Sequence, residues 1–252
     1  MSIRCFSARI SLQILVALAV LAACLSAAGV QAGSTKTDKR PFTTSFRLAD
    51  CTFQSASHAN PYFILEPGHV LHMQGEEGKE AVDLTITVLN DIENITLPGI
   101  GSVATRVIEE REKHDGEIAE VSRNFYAVCQ ETSDVFYFGE TTDIYEGGVV
   151  VSHEGAWRAG TNGAMPGIFM PGTFLLGSRY AQEVAPGVAM DRAENMAMGQ
   201  TISVPAGTFE DSITILETSA LERNSKETKS YAPGVGVIID DTLKLVDWTP
   251  AP

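Results

Sequence analysis

The chain has 252 residues, of which 32 are acidic and 18 are basic, so its formal net charge is −14. This balance argues against nucleic-acid binding, because the neutralisation of phosphates needs clustered Lys and Arg. The length suits one sizeable domain, since all-β domains of 200 to 250 residues are often single. Strong acidity fits solubility outside the cytoplasm.

The N-terminus has the pattern of a secretory signal peptide. Arg4 and Arg9 form a basic n-region, and residues 12–28 are nearly all apolar. This run is shorter than the roughly 20 apolar residues that a comfortable membrane-spanning helix needs. We therefore predict an export signal that is removed, which leaves 16 basic and 32 acidic residues.

Two cleavage positions compete in this signal. Val-Gln-Ala before Gly33 has the small residues that the standard signal peptidase reads. Leu-Ala-Ala before Cys24 resembles a bacterial lipobox, in which Cys24 is acylated and anchors the chain to a membrane face. Several acyl chains on one residue make such an anchor firm. Both processing routes stay open, and a lipid on Cys24 is the only membrane contact that we predict.

Two of the four cysteines, Cys51 and Cys129, lie beyond the signal region. An even pair in an oxidising compartment predicts a disulfide. The alternative is a pair of buried free thiols, since Cys packs as a small hydrophobic residue.

Strand patterns dominate the first part of the domain. Residues 81–90 alternate apolar and polar side chains with a period of two, which is the clearest strand signal in the chain. Residues 102–112 and 118–130 are two further strands, and Asp115-Gly116 between them is typical of a hairpin turn. Aromatic and β-branched runs cut by Gly, Asp and Ser in residues 121–157 predict more antiparallel strands.

The second half of the domain repeats this pattern, and no ten-residue segment has convincing helical periodicity. Strand patterns resume at 178–184, 191–198, 201–204, 209–218, 229–231, 237–239 and 243–248. We predict a mainly β fold, a single antiparallel β-domain with a curled, barrel-like or clam-like sheet. The expected divisions are a signal peptide at 1–32 (or 1–23 for a lipoprotein), a linker and N-terminal arm at 33–59, and the β-domain at 60–252.

Residues 158–177 interrupt the strand pattern. They hold five glycines and two prolines, interleaved with large apolar side chains such as Met165, Phe169, Met170 and Phe174. We expect a long irregular loop that packs across an open end or face of the sheet, because so apolar a segment does not lie fully in water.

Several short segments form a recognisable set. They are Asn-Pro-Tyr-Phe at 60–63 with Pro-Gly at 67–68, Phe-Tyr-Phe-Gly-Glu at 136–140, Glu-Gly-Ala-Trp at 154–157, Pro-Gly-Ile-Phe-Met-Pro at 166–171, Val-Pro-Ala-Gly-Thr-Phe at 204–209 and Tyr-Ala-Pro-Gly-Val-Gly-Val at 231–237. Together they resemble a family of uncharacterised bacterial secreted, lipoprotein-like β-rich proteins. The resemblance spans about residues 60–240. It implies a β-rich fold and export, and no activity. Cys51, Cys129 and residues 46–59 depart from the family pattern and point to a subgroup with its own bridge.

Sequence motifs for chemistry are few. No nucleophile elbow, zinc-protease helix, phosphate loop or dinucleotide fingerprint occurs. His69 and His72 point to opposite faces of one strand and so do not form a metal pair. Met196 and Met198 have the spacing of two neighbours on one buried face, which favours core packing. Glu140, Asp143 and Glu146 lack the dense spacing of a calcium loop.

Our first functional hypothesis is a non-catalytic, exported envelope protein that binds an apolar ligand or a partner protein. The contact surface would be the apolar loop, formed by Trp157, Met165, Phe169, Met170 and Phe174. It involves no catalytic residue, no cofactor and no metal.

Two alternatives come from other classes of protein. One is a secreted hydrolase that uses carboxylates, with its candidates drawn from Asp134, Glu140, Asp143 and Glu154. The other is a periplasmic copper binder, in which the thioethers of Met165, Met170 and Met190 would hold Cu(I).

Overall fold

The computed structural model describes residues 40–56 and 59–252. Antiparallel strands account for most of this part of the chain, which contains one 3₁₀ turn at Leu48–Asp50 and no α-helix. Accordingly, none of the described segments is a helix long and apolar enough to cross a membrane. The predicted signal peptide, its two cleavage positions and Cys24 lie outside the described residues.

Sixteen strands follow one another along the described residues. They are β1 Phe53–Gln54, β2 Val70–Glu77, β3 Glu80–Leu97, β4 Gly101–His114, β5 Glu117–Cys129, β6 Val135–Glu146, β7 Val149–Ser152, β8 Trp157–Arg158, β9 Met165–Met170, β10 Arg179–Ala181, β11 Glu183–Val184, β12 Asp191–Val204, β13 Gly207–Ser219, β14 Glu227–Ala232, β15 Gly236–Asp240 and β16 Leu243–Thr249. The predicted fold class, mainly β and antiparallel, is confirmed.

All sixteen strands belong to one sheet that curls until it is nearly closed into a barrel. The strand order is β10-β12-β13-β14-β15-β16-β2-β3-β4-β5-β6-β9-β11. The strands at its two ends, β10 and β11, are neighbours in the chain, because β11 begins only two residues after β10 ends. Strand β10 pairs with β12, whereas β11 pairs with β9. Residues 179–184 therefore bring the two edges of the sheet together at a seam.

The hairpin between β4 and β5 forms where the sequence predicts it. Asp115 and Gly116 both have positive φ, 49° and 87°, and His114 lies opposite Glu117 across the turn. Positive φ at both central residues gives a turn whose twist matches that of the flanking strands, which is why Asp-Gly is favoured there. The long β4–β5 pair forms one wall of the barrel.

Strand β3 is longer than residues 81–90, because it continues through a bulge to Leu97. The register with β4 shifts between Val88 and Ile92. The buried guanidinium of Arg106 donates to the carbonyl oxygens of Leu89 and Asp91 at 3.3 and 3.4 Å. These bonds satisfy backbone groups that the bulge removes from the ladder.

The N-terminal arm, residues 40–56, lies against the sheet at two places. Thr43 forms a parallel bridge with Tyr180, and the ring of Phe42 lies 4.0 Å from the Arg179 guanidinium and 4.5 Å from that of Arg192. Further along, β1 pairs with β5 next to a disulfide between Cys51 and Cys129, so the predicted bridge is present.

The expectation of a fully irregular loop at 158–177 is wrong. Met165–Met170 is strand β9, which pairs with β6 on one side and with β11 on the other. Gly167 is needed for close backbone approach, since a Cβ there would lie 2.4 Å from the carbonyl oxygen of Ala181. Glycine that permits such packing looks the same in sequence as glycine in a loop.

Met196 and Met198 do not lie on a buried face, contrary to the spacing argument. Their side chains are 51% and 52% exposed. The β12 register shifts between Asn195 and Ala197 and again between Ala197 and Gln200, so the alternation breaks at this point.

Candidate functional site

A cavity of about 40 Å³ lies within the curl of the sheet, between β2–β4 on one wall and β14–β15 on the other. Most of its lining is apolar. The lining residues are Phe63, Ile64, His69, Leu71, Ile86, Val88, Ile108, Glu110, Phe169, Lys229, Tyr231, Val235, Gly236, Val237 and Asp240. We call this space the interior cavity.

Packed aromatic rings form one side of the interior cavity. The Phe63 ring lies 4.9 Å from that of Phe169 and 4.8 Å from that of Tyr126, centroid to centroid. Tyr126 stacks on Tyr137 at 4.7 Å, and Trp157 meets Tyr137 edge-on at 5.3 Å. We call these five rings the aromatic cluster. Such pairs add to the stability gained by area burial, so this wall is firmly packed.

The floor of the interior cavity carries charge. Lys229 on β14 is 1% exposed, and its Nζ lies 3.1 Å from Glu217 Oε2 and 3.4 Å from Asp240 Oδ1. Burial alone would lower the pKa of Lys229, but Asp240 and then Glu217 raise it well above its usual range. Lys229 therefore stays charged within an otherwise apolar interior.

The opposite wall of the interior cavity carries carboxyl groups on the same face of the sheet as apolar residues. Strand register places Val88, Ile108, Asn124 and Glu140 side by side across β3–β6, all of them buried. Glu110 lies in the next row. Burial raises the pKa of Glu110 well above its usual value, although Lys229 opposes this shift. The Glu110 carboxyl group therefore keeps its proton to a higher pH than an ordinary carboxyl group does.

Glu183, near the seam, has the same character. It is 2% exposed, and its Oε2 accepts no hydrogen bond from residues 40–56 or 59–252. Burial raises its pKa well above the usual range, and Asp191 and Glu140 add to the shift. The interior of the sheet thus contains several buried carboxyl groups near Lys229, and burial raises the pKa of two of them, Glu110 and Glu183.

His69 borders the interior cavity at the start of β2. Its Nε2 lies 2.8 Å from the carbonyl oxygen of Val235, so Nε2 carries the proton and donates. Burial lowers the pKa of His69, which keeps the imidazole neutral. His72 is exposed, as expected for the opposite face of the strand.

The five residues of the predicted apolar contact surface do not act as one group. Phe169 lines the interior cavity, and Trp157 reaches it through the aromatic cluster. Met170 is fully buried in the core, whereas Met165 is 38% exposed. Phe174 packs on Tyr62, with ring centroids 6.5 Å apart, outside the interior cavity lining.

The four hydrolase candidates are also dispersed. Glu140 points inward, but Asp134 accepts hydrogen bonds from Gly172 N and Thr132 Oγ1 in a turn. Asp143 pairs with His153 at 2.8 Å, and Glu154 is exposed. A pair of carboxylates for hydrolysis is therefore not formed by this set.

Metal ligands do not gather around the interior cavity. Within residues 40–56 and 59–252, the one group of three possible His, Cys, Asp or Glu ligands is Cys51, Cys129 and Glu131, and its two sulfurs are joined in the disulfide. Of the proposed copper ligands, Met170 is fully buried and Met165 is on the surface. These two sulfurs lie in different environments.

A second hollow lies on the outer face of β3–β6. Its lining combines Arg123, Arg158 and Glu93 with the Phe125 ring. Arg158 pairs with Glu93 at 2.6 Å, and its guanidinium lies 5.4 Å from the Phe125 ring centroid. The charges of this open hollow are matched within the protein, so it offers less to a ligand than the interior cavity does.

Sequence reasoning missed Glu110, Glu217, Lys229 and Asp240. A usable signal existed for one of them, since Glu110 is two residues from Ile108 and so shares its face of β4. For Lys229, alternation could not indicate which face of β14 is buried, because the next two residues, Ser230 and Tyr231, are also buried.

Comparison with known proteins gives little beyond this geometry. No family model and no curated protein matches the chain. A solved structure from Parabacteroides distasonis, described as "a putative lipoprotein", matches at 14% identity over 78% of this chain and 100% of that chain. Its TM-score of 0.33 is too low to carry an argument about fold or function.

Proposed function

We propose that this chain is an exported, non-catalytic binding protein whose interior cavity receives the apolar end of a small ligand. The observation that carries the proposal is the apolar lining of the interior cavity above the Lys229 floor. Apolar walls with a few convergent polar groups are the usual composition of ligand pockets.

The size of the interior cavity limits the ligand. Its 40 Å³ corresponds to the space of a few water molecules, so only a short aliphatic or branched group fits without movement. The rest of the ligand would lie at the mouth, beside Phe63 and Phe169. Burial raises the pKa of Glu110, and a protonated Glu110 is a donor, so a polar head that accepts a hydrogen bond suits this floor.

Export rests on the sequence. The predicted signal peptide and the Cys51–Cys129 disulfide both suit an oxidising compartment outside the cytoplasm. Acylation of Cys24 would add an anchor to a membrane face.

Calorimetric titration with 1-hexanol as the probe tests the proposal. Val88→Phe places a larger side chain in the interior cavity wall, and Val151→Phe makes the same change on the exposed strand β7. Wild type and Val151→Phe should bind the probe, and Val88→Phe should bind it at least tenfold more weakly. Equal binding by all three proteins, each with a cooperative melt, would place the probe elsewhere and defeat the proposal.

A second candidate, docking of a partner protein, is favoured by strand β7. Val149, Val150 and Val151 are 65%, 38% and 52% exposed, and in the described part of the chain β7 pairs with β6 alone. An exposed apolar edge strand is a template for pairing with another chain. Light scattering of wild type against Val150→Lys distinguishes a self-associating chain from a monomer, and identical masses would remove self-pairing.

A further inference from the structure

Lys229 and Asp240 are direct neighbours across two antiparallel strands. Register pairs Lys229 on β14 with Asp240 on β15, and β13 on the other side of β14 supplies Glu217. Both Lys229 and Asp240 are buried, at 1% and 3% exposure. Since the two backbones are fixed by the sheet, the amine and the carboxyl group are held face to face.

The contacts bring the Lys229 side-chain nitrogen close to the Asp240 carboxyl group. Lys229 Nζ lies 3.4 Å from Asp240 Oδ1, and this oxygen accepts no hydrogen bond from the described part of the chain. Glu217 Oε2 is 3.1 Å from the same Nζ, while Glu217 Oε1 accepts a 2.7 Å hydrogen bond from Gln182 Nε2. Asp240 is thus the less firmly held carboxyl group, and Glu217 is fixed beside the amine.

We propose that Lys229 and Asp240 condense to an intramolecular isopeptide bond between Nζ and Cγ. Groups oriented in this way react as if at an effective concentration of about 10⁵–10⁸ M. In addition, condensation removes two buried charges. The attraction within a simple ion pair does not fully offset the free-energy cost of taking those charges out of water.

The reaction needs no oxidant or outside reagent. The ammonium first passes a proton to the Asp240 carboxylate, which leaves a neutral amine and a neutral carboxylic acid. The Nζ lone pair then bonds to Cγ, and the Glu217 carboxylate takes a proton from nitrogen and returns it to the departing hydroxyl. The C–O bond breaks, so amine and acid become one amide and one water molecule.

Two features of the interior cavity suit this step. Glu110, Lys229 and Asp240 all line the interior cavity, so the released water has space to enter. Burial raises the pKa of Glu110, and in its protonated form Glu110 can donate a hydrogen bond to the oxygen on which negative charge develops.

Mass spectrometry of the folded, purified chain tests the proposal after reduction of the disulfide. The wild-type mass should be lower than the sequence mass by one water molecule, and digestion should yield one branched peptide joining Lys229 to Asp240. A wild-type chain at its full mass overturns the proposal. A branch at Glu217 also overturns it, because the acceptor would then be wrong.

Three variants check the assignment. Lys229→Arg removes the amine and should show the full mass, whereas Lys244→Arg, an exposed matched change, should still lose water. Asp240→Asn should condense with loss of ammonia instead. Loss of water that persists in Lys229→Arg would contradict the proposal, because the dehydration would then lie elsewhere.

Discussion

Cys51 and Cys129 are joined across 78 positions of sequence, with their Cα atoms 5.0 Å apart. The bond ties the N-terminal arm to the last residue of β5, and Thr52 beside it donates to Glu131 Oε2 at 2.7 Å. This part of the arm is therefore fixed to the barrel wall.

Replacing both Cys51 and Cys129 with Ser should lower the free energy of unfolding by about 4 kcal/mol, because the bridge restricts a long loop in the unfolded chain. Urea denaturation with and without reductant measures this change. Reductant should have the same effect on wild type and none on the double variant. A wild-type midpoint that does not respond to complete reduction would show that the bridge adds no stability.

The pairing of β10 with β12, beside the seam, should depend on the ring of Phe42. Phe42→Ala removes the stack on Arg179 and Arg192, each contact worth roughly 0.5–1 kcal/mol at an exposed site. Hydrogen exchange at the amide of Ala181, which donates to Thr43 O at 2.8 Å, should become faster. The matched change Phe209→Ala, on a partly buried ring of β13, should leave that amide unchanged; equal acceleration by both would contradict a local role.

Met170 and Met165 give a paired test of the β9 assignment. Met170→Ala should cost about 2–5 kcal/mol of stability, because the side chain is fully buried. Met165→Ala, at 38% exposure, should stay within about 0.5 kcal/mol. Thermal melts compare the two. Equal small losses of stability in the two variants would indicate that residues 165–170 form a surface loop.

Local patterns were enough to predict most of the fold. Alternation gave the strands, Asp115-Gly116 gave the β4–β5 hairpin, and the even cysteine pair gave the disulfide. Strand β9 was missed because Gly167 is required by a neighbour that is distant in sequence, Ala181. A close approach of this kind is a tertiary fact that no short window contains.

The interior charges were missed for a different reason. A buried Lys229 is tolerated only because Glu217 and Asp240 come from two other strands. Propensity treats each of these residues as solvent-facing, so their common burial follows from strand register. Among the residues of the predicted apolar surface, Phe169 lines the interior cavity.

Stability should fall as pH rises from about 4.5 to about 8. Burial, together with Glu140 and Glu112, raises the pKa of Glu120 from 4.5 to about 8. Between those pH values the folded chain holds a proton that the unfolded chain has lost, so each increase in pH favours unfolding. Melting temperatures across this range should decline, and the slope should lessen in Glu120→Gln but not in the exposed control Glu117→Gln.

Deprotonation of His114 should also lower stability as pH rises, over a higher pH range. Its hydrogen bond to Glu112, assisted by Glu80, raises its pKa from 6.5 to about 9. The stabilisation is fully present below pH 6.5 and is lost as pH rises through about 9. In His114→Asn the decline between these values should be smaller. An unchanged slope would mean that the imidazolium contributes nothing to the hairpin.

Methyl-detected NMR during titration with 1-hexanol tests the binding function most directly, because it reports where an apolar group enters. The account predicts saturable shifts in the methyl signals of Leu71, Ile86, Val88 and Ile108, which line the interior cavity. The exposed methyl groups of Val149 and Val151 should stay unchanged. Shifts confined to those surface valines, with the interior methyl signals unmoved at saturation, would contradict it.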